Sequence, residues 1–114
     1  MSCRRGDVVL VRFPNSDLRT YKLRPALVVQ ADGLDTGLSQ RMVALITSNT
    51  TRTGPSRVFV GQTTTLGRSM GLRTDSVVVA DNIATVLDRE LDRVIGSCSD
   101  TSGIDAALRR ALAL

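Results

Sequence analysis

Met42-Val43-Ala44-Leu45-Ile46 is an unbroken apolar run of strand length that ends on the polar pair Thr47-Ser48. So short a run without alternation predicts a central strand covered on both faces. The segments around it must then supply neighbours for both of its edges. Upstream, Asp7–Phe13 alternates, with Val9, Val11 and Phe13 on one face and Val8, Leu10 and Arg12 on the other, the pattern of a second strand. Pro14–Leu23 is polar, rich in turn residues and longer than a tight hairpin requires, and loops of that kind often carry function. Pro25 reads as the opening of a strand over Ala26–Gln30, where proline is tolerated. Ala31–Arg41 is a second polar loop.

Downstream, Thr47–Ser56 is polar and punctuated by Gly54-Pro55. Arg57–Val60 reads as a short strand, Gly61–Thr74 as irregular, and Ser76–Ala80 and Ile83–Leu87 as two further β segments. Asp88 is placed to cap a helical turn reaching Val94, and Gly96 to break the chain. The clearest helix comes last. Ser99, Asp100 and Ser102 offer caps, and Ile104, Ala107, Leu108, Ala111 and Leu112 form one apolar face. Arg109 and Arg110 complement the dipole at its C-terminal end. Phe13 and Phe59 both fall in strand patterns and are expected in the core. The expected architecture is mainly β (α+β): a small, strongly bent barrel or sheet with short helices and a closing C-terminal helix, one domain over 1–114.

The chain has 114 residues, 42% hydrophobic and 23% charged, an ordinary globular balance that argues against a disordered chain. No apolar run approaches the roughly 20 residues of a membrane span. The start, Met1-Ser2-Cys3-Arg4-Arg5, is polar without an apolar signal core, so the expected location is the cytoplasm. Cys3 and Cys98 lie far apart without metal-ligand spacing and are expected as reduced thiols.

There is no histidine, which removes the Ser-His-Asp triad, the Cys-His dyad and any histidine-based metal centre. Glu90 is the single glutamate, and Asp7, Asp17, Asp32, Asp35, Asp75 and Asp81 are scattered singly. Two-metal hydrolysis needs carboxylates converging on ions about 4 Å apart, so neither metal nor other cofactor is expected. The net charge is +4, and of the basic residues only Lys22 is a lysine. Guanidinium forks suit phosphates and base edges, although a GC-rich genome produces the same bias.

The ordered series Arg5-Gly6-Asp7-Val8-Val9, Leu23-Arg24-Pro25-Ala26-Leu27-Val28-Val29, Ala44-Leu45-Ile46-Thr47-Ser48, Gly71-Leu72, Asp75-Ser76-Val77-Val78 and Ala80-Asp81-Asn82-Ile83-Ala84-Thr85-Val86 resembles the MazF/PemK toxin family from end to end, including Ile95-Gly96 and the terminal helix. The resemblance implies an SH3-like barrel and a homodimer that cleaves single-stranded RNA at short sequences. It also implies inhibition by a separate cognate antitoxin. The family's active centre uses the arginine of the Arg-Pro motif and the threonine ending the central strand, which fall here on Arg24 and Thr47.

Elementary chemistry supports the same pair. RNA is cut without water or metal when its own 2′-hydroxyl attacks the adjacent phosphorus, provided the protein orients the nucleophile and stabilises the phosphorane oxygens. Arginine gives fixed charged donors and a threonine hydroxyl one more directed bond. Ser48 either bonds substrate or caps a turn. Arg19 and Lys22, read in the first loop, either clamp phosphates or are solvated charges. Tyr21, in the same polar loop, is the stacking candidate. Asp81 either accepts a proton, orients Arg24, or pairs with a surface arginine. A non-catalytic inhibitor of a DNA topoisomerase, as the related CcdB toxins are, and a plain RNA-binding barrel are the competing functions.

Overall fold

The apolar run forms the core strand it predicts. In the computed structural model, which describes residues 3–114, β3 (Gln40–Thr47) has Val43, Ala44, Leu45 and Ile46 all buried. The reading of Met1 and Ser2 lies outside the described residues. Around β3 are β1 (Asp7–Pro14), β2 (Tyr21–Val28), β4 (Arg57–Val60), β5 (Ser76–Leu87) and β6 (Leu91–Ser97). Two helices complete the described chain, α1 (Thr65–Ser69) and α2 (Ser102–Leu112). The strands make one antiparallel sheet in the order β4-β5-β3-β2-β1-β6. The expected mainly β architecture with a C-terminal helix holds. The ladder does not close into a hydrogen-bonded barrel, because β4 and β6 remain edges.

Strand alternation divides the core. Val9, Val11, Phe13, Ala26, Val28, Val43, Leu45, Val77 and Val79 pack together on one face, where the sheet curls on itself and Val86 and Leu91 join them. The other face buries Val8, Leu27, Ala44, Ile46, Val60, Val78 and Ala80 against Met70 and, from α2, Ile104, Ala107 and Leu108. Each fully buried aliphatic side chain contributes about 1.5–3 kcal/mol, so the two clusters together hold the sheet bent. Cys3 belongs to the first cluster and Cys98 to the second, both as free thiols.

Several boundaries differ from expectation. β2 begins at Tyr21, so Tyr21 and Lys22 are strand residues, paired with Pro14 and Phe13, not loop residues. The hairpin turn is closed earlier by Asp17, whose carboxylate accepts from the Arg19 and Thr20 amides. Pro25 sits inside β2, at a point where β1 is its neighbour and β3 joins only from Ala26. The stretch after Gly61 is not wholly irregular, since Thr64 Oγ1 accepts from the Gly67 amide at 3.0 Å and caps α1. Asp88–Glu90 makes a single 3-10 turn without a side-chain cap, and the residues expected to continue it form β6. Helix α2 starts at Ser102, with Asp100 Oδ1 accepting from the Ser102 amide. Its last turn, with Ala111 and Leu112, runs past the sheet and is exposed. Phe59 is also exposed, because edge strand β4 turns Val58 and Val60 to the core.

Gly96 does not break the chain; it lies within β6, where the end of α1 presses on the strand. A Cβ there would stand 2.4 Å from the Met70 carbonyl carbon and 2.5 Å from the Ser69 oxygen. Both are backbone atoms and cannot swing aside. Gly96→Ala is expected to destabilise by about 3 kcal/mol, the upper range for overpacking. A urea midpoint equal to that of the unaltered protein would show that α1 can lift off at no cost.

Candidate active site

The β2–β3 ladder ends toward one edge at the pair Ala26–Leu45, both on the self-packed face. Two residues further along the same face of each strand stand Arg24 and Thr47, opposed in register where the strands part. Together with Phe13, Pro14, Asn15, Ser16, Leu45, Arg52 and Asn82 they line a cleft of about 350 Å³. Phe13 and Leu45 carry the hydrophobic core up to its floor. The side chains therefore project from a rigid sheet, as a preorganised site requires.

The cleft is one-sided in charge. Two arginines line it and no carboxylate does. Four ion pairs form among the described residues, Arg5–Asp105, Arg12–Glu90, Arg41–Asp88 and Arg57–Asp81, and none engages Arg24 or Arg52. Arg24 is held instead by a neutral partner, donating from Nη2 to Asn15 Oδ1 at 3.0 Å. Thr47 Oγ1 accepts from the Asn49 amide at 3.1 Å. One lone pair is thus engaged, and among the described residues no acceptor takes the hydroxyl proton, which remains available to a ligand in the cleft that Thr47 lines. Asn49 also organises the loop carrying Arg52, accepting at its carbonyl from the Arg52 amide at 3.4 Å and at Oδ1 from the Thr51 hydroxyl at 2.6 Å. Among the described residues no three of His, Cys, Asp or Glu are grouped to hold a metal ion.

The other candidates from the sequence do not line this cleft. Ser48 is exposed just beyond it, Arg19 is exposed in the hairpin turn, and Lys22 is exposed on β2. Tyr21 lies under the Arg12 guanidinium, 5.9 Å from its ring centre, and lines a neighbouring groove. Asp81 is drawn away by Arg57, which donates to its two oxygens at 2.9 and 3.3 Å. Those hydrogen bonds hold its carboxyl below the usual carboxylate range, so it stays ionised at neutral pH. The polar residues that sequence reasoning missed are Asn15, Ser16, Arg52 and Asn82. Asn15 and Ser16 had a signal only as members of the long first loop, and Asn82 only as the neighbour of Asp81.

A bent antiparallel sheet with a carboxylate-free, two-arginine cleft at the mouth of its core defines a small β protein suited to a phosphodiester. The family profile of PemK-like, MazF-like toxins of type II toxin-antitoxin systems matches residues 4–112, and the chain belongs to that family. No curated relative was found to match the sequence. Among solved structures it is similar to an endoribonuclease from a mycobacterial species, 25% identical with a TM-score of 0.74, over 100% of this chain and 94% of that one. It is equally similar to a mycobacterial endoribonuclease solved in complex with its cognate antitoxin, 26% identical, TM-score 0.74, covering 99% and 97%. The Mycobacterium tuberculosis toxin MazF-mt6 follows at 26% identity and a TM-score of 0.73, covering 95% and 97%.

Proposed function

We propose that this toxin is a sequence-specific endoribonuclease cutting single-stranded RNA by attack of the substrate's own 2′-hydroxyl, without a metal. The observation that carries this reading is the cleft itself, in which Arg24, Arg52 and the free proton of Thr47 converge with no acidic residue among the lining side chains. The 2′-oxygen forms a bond to phosphorus, the P–O5′ bond breaks, and the products are a 2′,3′-cyclic phosphate and a 5′-hydroxyl. Arg24, fixed by Asn15, stabilises the charge that grows on the non-bridging oxygens, and Thr47 donates a second bond to them. Arg52, on its loop, steadies the same or the adjoining phosphate. Arginine is a poor proton carrier, so solvent takes the 2′-proton and protonates the leaving oxygen, and turnover is modest.

Incubation of the purified protein with a long single-stranded RNA in excess chelator tests this directly. Discrete fragments with cyclic phosphate ends are expected; intact RNA, or activity that magnesium restores, would overturn it. Binding to an uncleavable RNA should weaken with salt along a log–log slope of about −1.4 or steeper, roughly 0.7 per phosphate contact on a single strand. A flat response would remove both arginines from substrate contact. The neighbour solved with its cognate antitoxin supports a further reading, that a cognate antitoxin binds this toxin. In the same reading the toxin is a cytoplasmic homodimer, and an acidic, partly disordered antitoxin segment orders across the basic cleft by charge complementarity. Residues 1–114 are read as one domain.

A further inference from the structure

The arginine cleft opens into a second groove of different character. That groove, of about 580 Å³, is lined by Pro14, Asn15, Ser16, Leu18, Tyr21, Asn82, Ile83, Ala84 and Thr85. Pro14, Asn15, Ser16 and Asn82 line both spaces, so the two are continuous. The cleft holds two arginines; the groove holds no charged side chain. A charged space thus adjoins a neutral one, as a phosphate adjoins a base in RNA.

Asn82 stands at the junction because of a distortion in the sheet. Ala44 pairs with Ile83 but its neighbour Leu45 pairs with Val79, so Ala80, Asp81 and Asn82 have no partners on β3. This bulge interrupts pairing between two interior strands, and bulges re-aim side chains beside functional sites. Asp81 is swung out to Arg57, and Asn82 is delivered to the junction. Its carboxamide makes no hydrogen bond to another described side chain or amide, nor does the Thr85 hydroxyl. Asn15, by contrast, is committed at both ends of its amide, to Arg24 and to Thr20.

We propose that the uncharged groove is a base-reading subsite, in which the Asn82 carboxamide binds the edge of a nucleobase adjoining the phosphate held by Arg24 and Thr47. This rests on the nuclease reading above. A carboxamide offers a donor and an acceptor side by side, the complement of the paired donor and acceptor on a base edge. Single-stranded RNA presents those edges freely. The wall formed by Leu18, Tyr21 and Ile83 supplies apolar surface against the flat of the ring.

The test is to cut an RNA library randomised around the cleavage site and sequence the ends. The unaltered protein should discriminate sharply at one position next to the cut. Asn82→Ala should lower the ratio of favoured to disfavoured bases at that position roughly ten- to a hundredfold, the worth of one bidentate contact, leaving preferences elsewhere in place. Thr85→Val, in the same groove and outside the cleft, should alter preference at that same position. Both residues are exposed, and unchanged thermal melts verify the fold. An unaltered profile in both variants, or a uniform loss of rate on every sequence, would overturn the subsite alone. Failure of the unaltered protein to cut any RNA would overturn the nuclease reading and the subsite together.

Discussion

Replacing Arg24 with alanine should lower the rate of RNA cutting by about 10²–10³-fold, the cost of removing one preorganised donor to a developing oxyanion. The size of the effect follows from placement. Arg24 is half-buried at the end of the β2–β3 ladder, and Asn15 fixes its guanidinium without neutralising it. A charge that has no carboxylate to satisfy is available in full to the phosphorane. Arg24→Lys should recover only part of the loss, since an ammonium lacks the planar fork that meets two oxygens at once. Thr47→Ala should also reduce cutting severely, because the free hydroxyl proton is lost. Stability should move little in each case, as neither residue belongs to the two core clusters. Single-turnover rates and urea melts on the same preparations separate chemistry from folding. Arg24→Ala protein that cuts at the normal rate would refute the site.

How much of this could be read from residue order depends on what each residue touches. Met42–Ile46 and the alternation of Asp7–Phe13 were legible because Val8, Val9, Val11, Phe13 and the four residues from Val43 to Ile46 are buried in a core, and burial leaves its period in the sequence. The buried residues of α2, Ile104, Ala107 and Leu108, are legible for the same reason. The start of β2 was not, because Tyr21-Lys22-Leu23 lies where the hairpin extends beyond the core and both faces meet water. Gly96 looked like a breaker because its purpose, close approach of two backbones, involves a residue far away in sequence. In the site, Arg24 and Thr47 were legible through the family pattern they share, and the register explains why two positions so far apart meet. Asp81 and Asn82 could not be told apart without the bulge that decides which of them reaches the cleft. Arg52 is silent in sequence because a polar loop leaves no periodicity.

A single 2′-deoxy substitution in the nucleotide on the 5′ side of the cut should abolish cleavage there and leave binding nearly intact. In the proposed reaction that hydroxyl is the nucleophile, so its removal deletes a reactant and not merely a contact. An external water lacks the enforced proximity of the neighbouring 2′-hydroxyl, so it could take its place only if the cleft held a strong base or a metal ion to bind and activate it. None of the residues lining the cleft is a carboxylate, the chain has no histidine, and Asp81, the acidic candidate from the sequence, is held ionised by Arg57 and turned from the cleft. Binding should survive because the affinity resides in phosphate contacts that the substitution does not touch. The lost hydroxyl costs at most the net worth of one hydrogen bond, about 0.5–1.5 kcal/mol, or roughly a tenfold change in affinity. The deoxy oligonucleotide should therefore act as a competitive inhibitor of the all-ribose strand, with an inhibition constant within about tenfold of the substrate's own affinity. Cleavage of the deoxy strand at the same linkage would mean that the attacking oxygen comes from solvent, and internal attack would have to be abandoned.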